Sequence, residues 1–318
     1  MRPYLAKQGL ITLASTLRGD ENIFIGIRPR GIHAGNKIPA IVYPYLLSKL
    51  VEQRGITPRF TINYFLNDYE QYTLLGPDKK KYPFNVLPDG QTLQYAPYDE
   101  TRSQADYWCP IIQKEVENTL GKEVPNLNLV FIRNSSLKDE PVFKEVVIKT
   151  INEPEKLRNL FYKYSGKEII LKPSSYCMAI CRKCQHPAHE TKVMNEETIY
   201  YKCHRSECGF EENASYSDLQ FWLYHKPLAI PRIKLKEIDL CITGIDHFNE
   251  GDFITRQKLF DFYGIKVKPF KTLYTPILIG TDGKLKMSKS KDNYYDMDFN
   301  KLLDLVKNTT EHIIYNKS

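Results

Sequence analysis

Thr275-Pro276-Ile277-Leu278-Ile279-Gly280, followed two residues later by Gly283-Lys284-Leu285-Lys286-Met287-Ser288-Lys289-Ser290-Lys291, decides how this chain is read. The first segment is an apolar run bounded by Pro and Gly, the pattern of a buried strand. The second is a polar loop rich in Lys and Ser. In open α/β sheets, ligands bind just beyond the C-terminal ends of strands. Lys284, Lys286 and Lys289 fall within six positions. Each ammonium is a mobile point charge, and the serine hydroxyls add donors, so the loop suits a polyphosphate.

Working outward, the same strand-then-turn pattern recurs twice. Asn22-Ile-Phe-Ile-Gly-Ile27 alternates as a buried strand and breaks at the turn Arg28-Pro-Arg-Gly31. Ile32-His33-Ala34-Gly35-Asn36 follows, then apolar positions at helical spacing through Leu46, Leu47 and Leu50. Strand, turn and helix in that order form the first unit of a parallel nucleotide-binding sheet. Gly35 lets backbone come close to a ligand. His33 and Asn36, three apart at the helix start, can both donate to phosphate oxygens. Further on, Asp239-Leu-Cys-Ile-Thr243 predicts a strand, followed by Gly244-Ile245-Asp246-His247 and a helix over 253–263. Asp246 can accept from ribose hydroxyls, and His247 can donate to a base or carboxylate.

Between these units the reading is plainer. Residues 6–20 predict a short helix. Arg59–Phe65 predicts a second strand, which runs into Leu66-Asn67-Asp68-Tyr69-Glu70. Acidic and aromatic residues at a strand end can line a pocket for a cationic side chain, which makes Asp68 and Tyr69 candidates for holding the amino acid discussed below. Residues 76–99 predict a loop bearing Lys79-Lys80-Lys81. Residues 105–122 and 140–165 predict helices, and 126–132 and 168–171 predict strands.

Four of the seven cysteines lie within 28 positions, as Cys181-x2-Cys184, eighteen residues, then Cys203-x4-Cys208. A short β-like arm, Thr198–Tyr201, joins the two pairs. Thiolates at this spacing can close a tetrahedral structural site around Zn²⁺, with His186, His189, His204 and Cys177 as nearby substitutes. Cys109, Cys177 and Cys241 are isolated thiols, as expected of a reducing compartment.

The bulk numbers agree. The chain has 318 residues, 42% apolar and 26% charged, enough for a sizeable core. A net charge of +7 suits a polyanionic partner such as ATP or tRNA. No signal peptide, membrane-spanning run, internal repeat or low-complexity tract is evident, and the chain is expected in the cytoplasm, with no membrane partner.

Lys286-Met-Ser-Lys-Ser290 is letter for letter the signature loop of class I aminoacyl-tRNA synthetases. His33-Ala-Gly-Asn36 resembles that family's His-x-Gly-His motif, with Asn last as in the lysyl branch. Gly244-x-Asp246-His247, the paired cysteines and Asn67-Asp68-Tyr69 resemble further elements of that branch, and all occur in family order. The chain departs from the pattern in the turn before His33, where only Ile32 separates it from Gly31; family members usually have two residues there.

The resemblance implies an α/β, Rossmann-like parallel sheet with helices on both faces and a zinc-knuckle insertion. The halves of the catalytic domain would be 1–104 and 226–318, with the insertion at 105–225. It implies ATP-dependent activation of an amino acid, lysine or a relative, and transfer to tRNA engaged through its acceptor end. Only 28 residues follow Ser290, so no anticodon-reading domain is expected. His33, Asn36, Lys286 and Lys289 would hold phosphates with Mg²⁺. Gly31, Gly35, Gly244, Asp246, His247, Met287 and Ser288 would complete the ATP site. Ligation of the activated amino acid to a small molecule or protein, nucleotidyl transfer, and a non-catalytic RNA-binding role are the alternatives.

Overall fold

The computed structural model describes residues 3–71, 90–164, 172–249, 251–279, 296–309 and 313–314. Lys286, Met287, Ser288 and Lys289 therefore lie outside the described residues. So do Lys79–Lys81 and the strand expected at 168–171.

The sheet forms from short β-branched and aromatic runs. Its strands are β1 (Pro3–Leu5), β2 (Asn22–Ile27), β3 (Thr61–Leu66) and β4 (Asn128–Arg133). Four further strands, β5 (Cys177–Ala179), β6 (Glu190–Val193), β7 (Thr198–Lys202) and β8 (Glu211–Ser215), precede β9 (Phe221–Leu223). The sheet is completed by β10 (Leu240–Gly244) and β11 (Lys271–Thr275). Six of them pair in the order β1-β11-β10-β2-β3-β4. Every pairing in that sheet is parallel. From β2 the chain moves outward to β3 and β4, and from β10 it moves the other way to β11. The order thus reverses between β2 and β10, which opens a crevice at their C-terminal ends.

Both faces of this sheet are covered, and the alternation of β2 shows how. Ile23, Ile25 and Ile27 enter one core with Ile62, Tyr64 and Leu66, beneath helices α1 (Ala6–Ala14) and α3 (Tyr43–Glu52). Phe24 enters the other with Phe65 and Cys241. That second core is closed by α5 (Pro141–Asn152), α6 (Pro154–Tyr164), α7 (His225–Leu235) and α9 (Asp252–Tyr263). A strand's period of two sends successive residues to opposite faces, so a strand buried on both sides is apolar throughout. The remaining helices are α2 (Ala34–Lys37), α4 (Gln104–Val116), α8 (Asp246–Asn249) and α10 (Phe299–Lys307).

The structure corrects the strand expected at 275–280. The sheet strand is β11, which ends at Thr275 because Pro276 has no N–H to offer a ladder. Beyond it, β12 (Ile277–Leu278) pairs, among the described residues, with β13 (Ile313–Ile314), apart from the main sheet. The helix expected over 6–20 stops at Ala14, and residues 15–20 turn back through Gly19 at φ +98°. β4 lies at the edge of the central sheet, so the sheet draws a strand from inside the 105–225 segment.

The paired cysteines sit on a three-stranded antiparallel unit, β6-β7-β8. Ile199 and Tyr201 of its central strand join the second core, so this unit shares an interior with the sheet.

Candidate active site at the switch point

A cleft of about 500 Å³ occupies the crevice between β2 and β10. Each wall begins where a strand ends. Arg28, Arg30 and Gly31 follow β2, and Gly31 takes φ +82°, a left-handed conformation that glycine adopts without strain. His33 is extended at the N-cap of α2, and its carbonyl accepts from the backbone N–H groups of Asn36 (2.8 Å) and Lys37 (3.0 Å). His33, Gly35 and Asn36 all line the cleft. The helix then widens into a π-type turn over Ile38–Val42, where Pro39 has no N–H to return to the preceding turn.

Thr243, Gly244, Asp246 and His247 follow β10 and line the opposite side. Gly244 leaves room for the side chain of its neighbour. The Asp246 carboxylate folds back close to the Gly244 backbone, and a Cβ at 244 would push that carboxylate aside. Thus six described candidates from two distant stretches, His33, Gly35, Asn36, Gly244, Asp246 and His247, share one cleft, with Gly31 beside them.

Asp68 and Tyr69 are placed elsewhere. Asp68 is fully buried and accepts from the Ser135 N–H (3.0 Å) and hydroxyl (2.5 Å). Burial raises its pKa, opposed by the Ser135 contacts and the Arg133 charge. Tyr69 is buried too and donates its hydroxyl to Gln220 Oε1 at 2.9 Å. Their neighbours Asn67 and Glu70 are the residues of this turn that line the cleft. Glu70 is held by Arg28 at 2.5 Å and by the Asn67 amide at 2.9 Å.

Three further cations line the cleft and were not picked out in the sequence: Lys226 and Arg232 from α7, and Arg256 from α9. Helix α7 is buried over nearly its whole circumference, so it has no amphipathic period, and Pro227 and Pro231 mask it further.

The four cysteines converge. The Sγ atoms of Cys181, Cys184, Cys203 and Cys208 all lie within 4.8 Å of one another. Cys181 and Cys208 are 3.7 Å apart, and Cys184 and Cys203 are 3.5 Å apart. A disulfide needs about 2.05 Å, whereas a tetrahedron of thiolates about 2.3 Å from a zinc ion spaces them at about 3.8 Å. The donor set therefore fits zinc. None of His186, His189, His204 and Cys177 belongs to this donor cluster. The Gln91 amide donates to the Cys184 carbonyl at 2.9 Å, which ties the knuckle to the loop packed against the end of β3.

The sequence profile of the family described as tRNA synthetases class I (K) matches residues 29–316. The chain belongs to this family. No curated protein matches it in sequence. Among solved structures, this class I chain resembles tyrosyl-tRNA synthetase from Archaeoglobus fulgidus complexed with L-tyrosine. That match has 15% identity and a TM-score of 0.47, over 91% of this chain and 65% of the other. A Leishmania major tyrosyl-tRNA synthetase matches at 12% identity and TM-score 0.46, over 92% of this chain and 32% of that one. A glutamate tRNA ligase from Elizabethkingia meningosepticum in complex with its amino acid matches at 12% identity and TM-score 0.38, over 86% and 52%. The chain thus spans less than two thirds of the length of these structures. Among the described residues, no helix is long and apolar enough to cross a membrane.

Proposed function

We propose that this chain activates an amino acid with ATP and transfers it to tRNA. The observation that supports this best is the meeting of His33, Asn36, Gly244 and Asp246 in one cleft at the sheet's switch point. The amino acid's carboxylate attacks the α-phosphate, the bond to the β-phosphate breaks, and aminoacyl-adenylate and pyrophosphate form. No protein nucleophile is needed, so positioning and charge stabilisation supply the rate.

In this reading His33 and Asn36 hold phosphate oxygens at the start of α2, with Gly31 and Gly35 letting the backbone approach. Asp246 accepts from the ribose, with Gly244 and His247 beside it. Lys286 and Lys289, flanked by Met287 and Ser288, neutralise the departing pyrophosphate. Mg²⁺ entering with ATP would add positive charge at the phosphates beside His33 and Asn36. The cysteine cluster holds a structural zinc and keeps the knuckle in register with the β3 end.

The letter K in the family's description supports lysine as the amino acid. One observation favours another specificity: Asp68 is turned away under Ser135, and Glu70 is already engaged by Arg28. Charging of bulk tRNA with each of the twenty labelled amino acids tests the proposal. Acid-precipitable, alkali-labile label on tRNA for one amino acid is expected. If adenylate forms but no RNA is labelled, the acceptor is a small molecule or a protein.

A further inference from the structure

Among the described residues, two carboxylates line the cleft, Glu70 and Asp246. Asp246 follows β10, where the reading above places the ribose. Glu70 follows β3, two strands across the sheet from β10. The α-carboxylate of the amino acid must meet the α-phosphate at the switch point, and the α-ammonium is one carbon away from it. What reaches toward the β3 end is therefore the side chain.

The two oxygens of Glu70 are held in different ways. Oε2 accepts from the Asn67 amide at 2.9 Å. Asn67 is fixed from behind: its Oδ1 accepts from the amide of Asn134 at 2.8 Å, and Asn134 is fully buried. Oε1 instead faces Arg28 Nη2 at 2.5 Å. Arg28 belongs to the turn after β2, and its side chain is 47% exposed, against 30% for Glu70. Among the described residues this is the one ion pair that Arg28 makes. An ion pair this open to water contributes little and exchanges partners readily. When Arg28 leaves, the carboxylate stays in place, because its other oxygen is anchored through the two amides. Arg28 thus shows that a cationic head fits against Glu70 inside the cleft. A substrate already seated by its α-groups brings a side-chain cation to the same oxygen as an intramolecular event.

We infer that Arg28 is a built-in competitor for the substrate's side chain: it caps Glu70 in the empty cleft and yields it to the side-chain ammonium of the incoming amino acid. Glu70, held by Asn67 and Asn134, then sets the preference for a cation. This rests on the amino-acid-activating reading above, and it resolves within that reading the engagement of Glu70 that weighs against lysine.

Arg28 and Glu70 then act with opposite signs, although they are the two halves of one ion pair. Calorimetric titration of the full chain with L-lysine, L-norleucine and L-glutamate, alongside ATP–pyrophosphate exchange with the same three, tests this. Lysine should bind about tenfold or more tightly than norleucine, which has the same carbon chain and no ε-ammonium. Arg28→Gln removes the competitor and should tighten lysine about two- to fivefold. Glu70→Gln keeps an oxygen for the Asn67 amide and loses the charge. It should weaken lysine about tenfold and leave norleucine unchanged. Both side chains are partly exposed, and melting temperatures check that the variants are folded. Shifts of the same sign in the two variants overturn the inference, because a merely structural pair behaves that way. An equal loss of lysine and norleucine in Glu70→Gln also overturns it, since Glu70 would then hold the α-ammonium. So does a failure to bind lysine in preference to norleucine and glutamate. Opposite signs in calorimetry without exchange by any of the proteins leave the subsite standing and remove the activation reading. Exchange with lysine that neither variant alters does the reverse.

Discussion

Lys37 Nζ lies 2.9 Å from Asp296 Oδ1. The same ammonium lies 2.9 Å from Glu115 Oε1, while the Lys37 side chain itself is only 8% exposed. One cation therefore joins the helix that begins at His33, the end of α4, and the first described residue beyond the lysine-rich segment. Residues far apart in sequence, Lys37, Glu115 and Asp296, are thus joined at one point beside the cleft-lining Asn36.

Replacing Lys37 by Met keeps the buried stem and removes both ion pairs. Both carboxylates reach solvent, so the loss is moderate, about 1–2 kcal/mol of stability. Burial lowers the pKa of Lys37 and its two partners raise it, with a net rise. Its stabilising charge is therefore present throughout neutral pH and fades only as pH climbs above the ordinary lysine value. Urea unfolding at pH 7 and at alkaline pH checks this. The gap between wild type and Lys37→Met should be constant near neutrality and shrink in alkali.

Asp68 gives a pH prediction of the opposite kind. Its pKa is raised mainly by burial, so the folded state prefers it protonated. Stability is then lost as pH rises through the ordinary carboxylate range towards the raised value, and regained as pH falls. Asp68→Asn can still accept from Ser135 and does not titrate. It should equal or exceed wild type in stability at pH 7, with the difference vanishing near pH 3. Asp68→Ala strands the Ser135 donors and should cost about 1–3 kcal/mol. Because Asp68 does not line the cleft, the amino-acid KM of Asp68→Asn should stay within about twofold of wild type; a large rise would place it in the site.

Purified protein should contain about one zinc per chain, released by chelation or by Cys203→Ser. Since Gln91 links the Cys184 carbonyl to the β3 end, metal loss should lower both the melting temperature and amino-acid binding. Protein that is metal-free by elemental analysis and melts normally would contradict this.

The sequence made the fold legible where local pattern and tertiary role coincide. Strand β2 alternates because Ile23 and Ile25 face one core and Phe24 the other. The cysteine pairs were legible because metal geometry restricts spacing. Helix α7 was not: buried on nearly all sides and containing Pro227 and Pro231, it carries neither the period nor the composition of a helix. With it Arg232 stayed hidden. Beyond the end of β3 the chain turns, and the strand's period no longer says which side chains face the cleft. Asn67 and Glu70 face the cleft while Asp68 and Tyr69 turn inward, and the residues alone do not say which pair goes which way. β11 was displaced to 275–280 because Pro276 separates the true strand from a second apolar run.

The central claim is adenylate formation in the cleft, and amino-acid-dependent exchange of labelled pyrophosphate into ATP tests it most directly. Wild type should catalyse exchange with one amino acid. His33→Ala and Lys289→Ala should each raise the barrier by about 2.7–4 kcal/mol, a loss of about 10²–10³ in rate, with amino-acid affinity little changed. Exchange that is absent with all twenty amino acids, or that proceeds at the wild-type rate in both variants, would contradict the account.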